Sequence, residues 1–358
     1  MKAILVTGGA GFIGGHFVRR WLAEEDGLLV NLDKLSYASS LQRLEVVADN
    51  PRYQFVHGDV CDGNLVYELV ASHRVSAIVH LAAETHVDRS IDDPADFVRT
   101  NVEGTFQVLE AARRWWRGLN EPARSEFRVV QVSTDEVYGS IDSASGGQPD
   151  RATEDSPCAP NSPYAASKAA ADHLARAYWR TYGLPVVITL GCNTYGPYQF
   201  PEKLVPLVIL NALEGRPLPV YGDGQQIRDW LHVEDHCRAL RAVFARGKPG
   251  QRYNIGAECQ RTNLEVVRTI TAIIDRLVPD LPHAPCGELV TFVADRPGHD
   301  RRYAMDTTKI RTELGWQPQV DFTQGMEQTV RWYLENRAWA EQVAAGKYDR
   351  QRLGLGPA

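Results

Sequence analysis

Short apolar runs recur through the first half of the chain: Ala3-Ile4-Leu5-Val6, Leu28-Leu29-Val30-Asn31-Leu32, Tyr53-Gln54-Phe55-Val56, Ala77-Ile78-Val79-His80-Leu81, Phe127 to Val132, and Pro185-Val186-Val187-Ile188-Thr189-Leu190. Most are separated by stretches whose apolar positions follow helical spacing. Near-continuous apolar strands between helices predict an α/β fold, a doubly wound parallel sheet with helices on both faces. After about residue 190 the pattern loosens into Y-G-P-Y, E-G-R-P-L-P, Y-G-D-G and A-D-R-P-G-H-D, where Pro and Gly punctuate longer loops. A chain of 358 residues suits about two domains. The expected division is a cofactor-binding unit over 1–190 with a returning segment near 228–257, and a smaller α/β substrate-binding unit from 191–227 and 258–358.

The 24 residues between Gly139 and Tyr164 are rich in Ser, Gly, Pro and Asp. They are too many for an idle connection in a compact domain, so 140–163 is expected to be a lid over a site, with plain disorder as the alternative.

Composition narrows the function classes. With 44% hydrophobic and 23% charged residues the chain reads as globular, and no apolar run approaches the ~20 residues of a membrane helix. The opening M-K-A-I-L-V-T-G-G lacks the charged start and apolar region of a secretory signal, so the expected location is the cytoplasm. A net charge of -6 with no basic block argues against nucleic acid as a partner. Six scattered cysteines without a C-x-x-C pair read as reduced thiols, with no metal expected.

Thr7-Gly8-Gly9-Ala10-Gly11-Phe12-Ile13-Gly14 joins the first strand to a helix-like G-H-F-V-R-R-W-L. Glycines there permit a tight turn and close approach of a pyrophosphate, while the helix N-terminus offers free N–H groups to the anion. This context predicts a Rossmann-type dinucleotide site at Gly8, Gly11 and Gly14. Asp33 ends the second strand where an acid binds a ribose 2′-hydroxyl, and it would repel a 2′-phosphate, favouring NAD over NADP. Gly58-Asp59-Val60 and Leu81-Ala82-Ala83 close two further strands on the ligand-binding edge.

Tyr164-Ala165-Ala166-Ser167-Lys168 opens a helical run in which Tyr164 and Lys168 share one face. An ammonium beside a phenol, together with the positive nicotinamide ring, favours the phenolate, a usable base for an alcohol. The pattern is common by chance, but Ser133-Thr134 at the end of a strand and the glycine turn place it in a hydride-transfer site. Asp135 and Glu136 follow at once in S-T-D-E-V-Y-G. Two adjacent acids at a strand end are either solvated, or a second acid–base pair whose pKa values are pushed apart by burial.

T-G-x-x-G-x-x-G, Y-x-x-x-K and a following N-x-Y-G-P resemble the extended short-chain dehydrogenases/reductases that act on nucleotide sugars. H-V-D-R-S-I (86–91), Y-G-P-Y-Q-F-P-E-K-L (195–204), G-D-G-Q-Q-I-R-D-W-L-H-V-E-D-H (222–236) and A-D-R-P-G-H-D-R-R-Y (294–303) are similar to the family's 4,6-dehydratases. The resemblance covers nearly the whole chain and implies dehydration of dTDP-glucose: oxidation at C4, loss of water across C5 and C6, and return of the hydride to C6. It implies that Asp135 is the acid at C6, Glu136 the base at C5, and Thr134, Tyr164 and Lys168 the oxidation site. For NAD it adds Phe12, Ile13, Lys34, Ser36, Asp59, Val60, Leu81, Ala82, Ala83, Thr100, Ser133 and Asn193. For the nucleotide sugar it implies Thr85, His86, Thr134, Asn193, Lys203, Leu204, Arg228, Asn263, Arg296 and His299. It also implies a homodimer built through the helix-like runs 95–117 and 165–180. Alternatives in the family are UDP-glucose or another nucleotide sugar as substrate, or a 4-epimerase, although epimerases generally lack the Asp-Glu pair. A non-catalytic NAD-binding regulator would be expected to lose Tyr164 or Lys168. Where Asn often precedes Y-G-P in these dehydratases, this chain has Thr194; where Ser is frequent, it has Thr85.

Overall fold

The computed structural model describes residues 2–141 and 151–354. The six apolar runs become strands β1 (Ala3–Thr7), β2 (Leu28–Asp33), β3 (Tyr53–His57), β4 (Val75–His80), β5 (Arg128–Thr134) and β6 (Val186–Gly191). The looser half adds β7 (Asn193–Tyr195), β8 (Leu218–Tyr221), β9 (Ile227–His232), β10 (Arg252–Ile255), β11 (Gln260–Thr262) and β12 (Val290–Val293). Seven strands form one sheet in the order β10-β6-β5-β4-β1-β2-β3, with every neighbouring pair parallel. The strand order reverses between β1 and β4, and at such a switch point the carboxyl ends of the strands open a crevice.

Two hydrophobic cores follow. The first packs both faces of the seven-stranded sheet, with Phe17, Val30, Ile78, Val130 and Leu240 fully buried. The second gathers Val208, Ile209, Leu218, Ile270, Met326 and Tyr333 beside the small sheets β11-β9-β7 and β12-β8. The returning chain supplies β10 and the helix Val233–Arg246 to the first core. Strand β9, however, lies in the three-stranded sheet, and Met305, Ile310, Leu314 and Trp316, which fall within 258–358, pack in the first core. These late apolar residues follow no periodic element long enough to betray which core they join.

The helix Pro163–Tyr182 begins abruptly, and its sequence explains why. Ser162 caps it by accepting from Ala165 N at 3.1 Å, Pro163 occupies the first turn, and Gly183 ends it at φ 75°. This start fixes where Tyr164 and Lys168 enter the crevice. Among the described residues no helix is long and apolar enough to cross a membrane.

Of the expected lid, residues 142–150 lie outside the described residues. None of the described residues 140–141 and 151–163 borders the crevice. The part 151–162 is fastened elsewhere: Ala152 N donates to Ala304 O at 2.9 Å, Ala159 N to Val137 O at 3.0 Å, and Asn161 Nδ2 to Asp300 Oδ1 at 2.6 Å. Asn254 holds it too, donating from N to Glu154 Oε1 at 2.9 Å and from Nδ2 to Ala152 O at 3.0 Å. The lid reading is therefore corrected for 151–162, which is a clamp between the chain after β5 and the segment near 300–306. Asn254→Ala should lower stability by about 1–3 kcal/mol, the cost of orphaned buried partners, and speed cleavage within 151–162 in limited proteolysis mapped by mass spectrometry; an unchanged cleavage rate would contradict the clamp.

Candidate active site

The crevice has a cavity volume of about 290 Å³ and runs from the glycine turn to the ends of β5 and β7. Gly8 sits at φ +75°, and a Cβ there would lie 2.6 Å from Ala82 N. A Cβ on Gly14 would lie 2.1 Å from Gly8 O. Strand end, turn and helix are thus packed backbone to backbone. The helix Phe12–Glu24 starts with no side-chain cap and no acid in its first turn, leaving its N–H groups and positive dipole end directed at the crevice. Asp33, buried, accepts from Ala10 N at 2.9 Å, Leu35 N at 2.8 Å and Ser39 Oγ at 3.0 Å. These bonds fix its carboxylate beside the turn, where a diol would meet it. Lys34 reaches across to Thr100 Oγ1 (2.9 Å) and Glu84 (3.0 Å).

At the end of β5 the chain turns sharply. Thr134 caps a short 3-10 turn, Asp135–Tyr138, by accepting from Glu136 N at 3.3 Å. Burial lifts the Asp135 carboxyl well above the usual range, and Glu136 and Asp229 push it further. Burial also raises Glu136, but Arg296, Arg228 and Lys203 pull it back. Asp135 Oδ1 accepts from Thr134 at 3.3 Å, and its buried Oδ2 has no protein partner. The two acids therefore occupy different fields: one is crowded by anions, the other is ringed by cations. Such a pair can hold one proton and lack another at the same pH.

Tyr164 and Lys168 border the same cavity. In the protein alone burial raises the Tyr164 phenol, Glu136 adds to this, and a Thr134 hydrogen bond opposes it. The expected lowering combines Lys168 with the positive nicotinamide ring, which the protein alone does not supply. Burial lowers Lys168 and Asp172 raises it, while its Nζ donates to Val132 O at 2.8 Å.

Beyond Glu136 lies a basic and aromatic wall from the second core. The Arg228 guanidinium stacks over Tyr303 at 4.1 Å, and Tyr303 Oη donates to Asp300 at 2.7 Å and approaches Glu136 Oε2 at 3.5 Å. Arg296 pairs with Asp88 at 2.8 Å, and Tyr221 Oη donates to the same carboxylate at 2.8 Å. His299 stands edge-on to Tyr221 and contacts Asp295 at 2.6 Å. Burial holds the His299 imidazole down at about 4.

A family model described as GDP-mannose 4,6 dehydratase matches residues 5–329. The chain belongs to that family. A dTDP-glucose 4,6-dehydratase of Neisseria meningitidis serogroup B is 53% identical over 358 residues, covering 99% of this chain and 100% of the relative. One from Escherichia coli is 50% identical, covering 98% and 99%. The crystal structure of a dTDP-glucose 4,6-dehydratase from Streptomyces venezuelae with NAD and dTDP bound superposes with a TM-score of 0.85 at 49% identity, covering 95% of this chain and 99% of that one.

Most positions singled out in the sequence line one cavity in this family member: Gly8, Gly11, Phe12, Ile13, Gly14, Asp33, Lys34, Ser36, Val60, Leu81, Ala82, Ala83, Thr85, Thr100, Ser133, Thr134, Asp135, Glu136, Tyr164, Lys168, Asn193 and Lys203. Asp59 does not line it, because its carboxylate turns back to accept from Cys61 N at 2.9 Å. His86 is buried as the cap of Val87–Asp92, accepting from Arg89 N. Leu204 packs against the second core, and Asn263 opens the helix Asn263–Leu277. Arg228, Arg296 and His299 form the wall described above rather than the cavity lining. Thr194, the departure from Asn, also borders the cavity, with its hydroxyl bonded to His236 at 2.7 Å and donating to Cys192 O at 3.1 Å. Sequence reasoning missed Glu84, Gln199, Phe200, Glu202 and His236, which also border the cavity. Glu202 accepts from Tyr37 at 2.7 Å and Arg89 at 2.9 Å; its only signal was its place in Y-Q-F-P-E-K-L. Gly14→Ala should push the glycine turn off the helix, lowering stability by about 1–3 kcal/mol as overpacking does, and a denaturant melt matching the parent would refute the contact.

Proposed function

We propose that this chain is an NAD-dependent nucleotide-sugar 4,6-dehydratase acting on dTDP-glucose to give dTDP-4-keto-6-deoxyglucose. The carrying observation is the buried Asp135–Glu136 pair beside Tyr164 and Lys168, since an alcohol oxidation alone needs no second acid–base pair. The relatives named for this reaction, at 50–53% identity over nearly their whole length, support the reading.

The residues fit NAD. The Gly8–Gly14 turn leaves room only for backbone, the uncapped helix end suits a pyrophosphate, and fixed Asp33 suits a ribose diol. Phe12, Ile13, Lys34, Ser36, Val60, Leu81, Ala82, Ala83, Thr100, Ser133, Lys168 and Asn193 complete the cradle. NAD, when bound, accepts the hydride from C4 and returns it to C6. Tyr164 takes the C4 hydroxyl proton with Thr134 beside it, and the Lys168 ammonium offsets the cost of the phenolate. Glu136 takes the C5 proton, made acidic by the neighbouring ketone. Asp135, kept protonated by burial and neighbouring anions, gives its proton to the departing C6 hydroxyl. Lys203, Arg228 and Arg296 face the diphosphate, for which the planar Arg fork donates two hydrogen bonds at once; Arg296 Nε is buried with no protein partner. Thr85, His86, Asn193, Leu204, Asn263 and His299 shape the rest of the sugar and nucleotide pocket.

The enzyme works in the cytoplasm as a homodimer. Exposed Val98 and Phe106, in the run 95–117, and Tyr182, which ends the helix Pro163–Tyr182, at 57%, 40% and 48%, support the dimer, because these helices are the ones it would cover.

The protein should purify with NAD bound, because a cofactor reduced and reoxidised within each turnover has no need to leave; chromatography of nucleotide released on denaturation checks this, and finding NADP would contradict the role of Asp33. Incubation with dTDP-glucose should yield the 4-keto sugar, with dTDP-glucose outcompeting UDP- and CDP-glucose. In this assay Tyr164→Phe should abolish cofactor reduction. Glu136→Gln should permit reduction but not exchange of the C5 hydrogen with deuterated water. Asp135→Asn should keep C5 exchange while water loss slows by roughly 10²- to 10⁴-fold. Glu136→Gln exchanging C5 hydrogen at the parent rate would sink the assignment.

A further inference from the structure

Asp172 lies one turn beyond Lys168 on the helix Pro163–Tyr182 and is 4% exposed. Its Oδ2 accepts from Ser133 Oγ at 2.6 Å, while Oδ1 is buried without a protein partner. Lys168 donates to Val132 O at 2.8 Å. Two residues at i and i+4 on one helical face therefore grip two consecutive residues of β5, immediately before Thr134, Asp135 and Glu136. A buried ammonium left without a countercharge is costly, and Asp172 is the acid whose field acts on Lys168. Among the described residues, the other charged or titratable groups about the pair include Arg252, which acts on Asp172, Tyr138, on which Asp172 and Arg252 act, and His80, on which Lys168 acts; Tyr164 feels Asp172 together with Asp135 and Glu136.

We propose that Asp172 is a positioning residue of the oxidation site: its carboxylate fixes the end of β5 through Ser133 and supplies the countercharge that keeps Lys168 an ammonium next to Tyr164. Burial raises the carboxyl to about 6 against the opposing pull of Lys168, Ser133 and Arg252, so the charged partners and the Ser133 hydrogen bond favour its ionised form. Removing that charge lets Lys168 lose its proton at lower pH, because burial already lowers it. Phenolate formation at Tyr164 then loses its support on the alkaline side first.

The kinetic consequence rests on the dehydratase reading, so the test has two arms, both on the full chain loaded with NAD. In the first, cofactor reduction on adding dTDP-glucose is followed against pH. Asp172→Asn should slow it by roughly tenfold at neutral pH, the worth of one pKa unit, with KM unchanged and the alkaline limb moved to lower pH; Asp172→Glu should recover most of the rate. A profile identical to the parent, or a loss that falls on KM and is not recovered by Glu, overturns the proposal. The second arm needs no substrate: thermal midpoints of Lys168→Met, Asp172→Asn and the double variant form a cycle. The double variant should fall by less than the two single shifts combined, and additive shifts overturn the pairing. Should the parent make no 4-keto sugar while the cycle is non-additive, the dehydratase reading fails and the Asp172–Lys168 pair stands.

Discussion

A carboxyl taken out of water must stay protonated or be surrounded by charge and donors that replace the water, and the crevice is organised around that cost at Asp135 and Glu136. The fold meets it in two ways. Burial raises both carboxyls: at Asp135 the nearby anions Glu136 and Asp229 add to the rise, whereas at Glu136 the cations Arg296, Arg228 and Lys203 oppose it. The cations come from β9, from the loop after β12 and from the start of the helix Leu204–Leu213, all tied to the second core. The difference between the two acids thus depends on the two cores closing on one another across the end of β5.

The first half of this arrangement could be read in the sequence because it is local. Glycine spacing, a strand-ending acid and Y-x-x-x-K each sit within one strand–turn–helix unit, where hydrophobic period and turn chemistry determine geometry. Gly8, Gly14, Asp33, Tyr164 and Lys168 accordingly face one cavity. Tyr164 and Lys168 do border one cavity from one helix, while in the protein alone burial raises the phenol, so its ionisation depends on the positive nicotinamide ring as well as on Lys168.

What the sequence left obscure is non-local. Nothing in A-D-R-P-G-H-D-R-R-Y says that Tyr303 will stand under Arg228 and against Glu136, because that contact joins residues 167 apart in the chain. The segment 151–162 has loop composition, which says where regular structure stops but not whether the loop covers a site or is tied down; Asn254, on the far edge strand of the sheet, decides the matter. Asp59 and Asp33 look alike as strand-ending acids. They differ because Asp33 is fixed by donors from the glycine turn and the following loop, whereas Asp59 spends its carboxylate on the next turn of its own chain.

The adjacency of Asp135 and Glu136 in sequence raises a last geometric point. Consecutive residues of a strand point to opposite faces of the sheet, so two acids inside β5 could not serve one substrate. The chain avoids this by ending the strand at Thr134 and winding Asp135–Tyr138 into a 3-10 turn, in which neighbours fan out about 120° apart instead. Thr134 supports that turn with its own hydroxyl, and Gly139 closes it at φ 73°, with Ala159 O so near that a Cβ would lie 2.1 Å away. The clamp 151–162, the turn and the helix Pro163–Tyr182 are therefore successive parts of one device. The clamp presses on Val137 and Gly139, the turn presents both carboxyls to the crevice, and the helix returns Tyr164 and Lys168 to the same strand end.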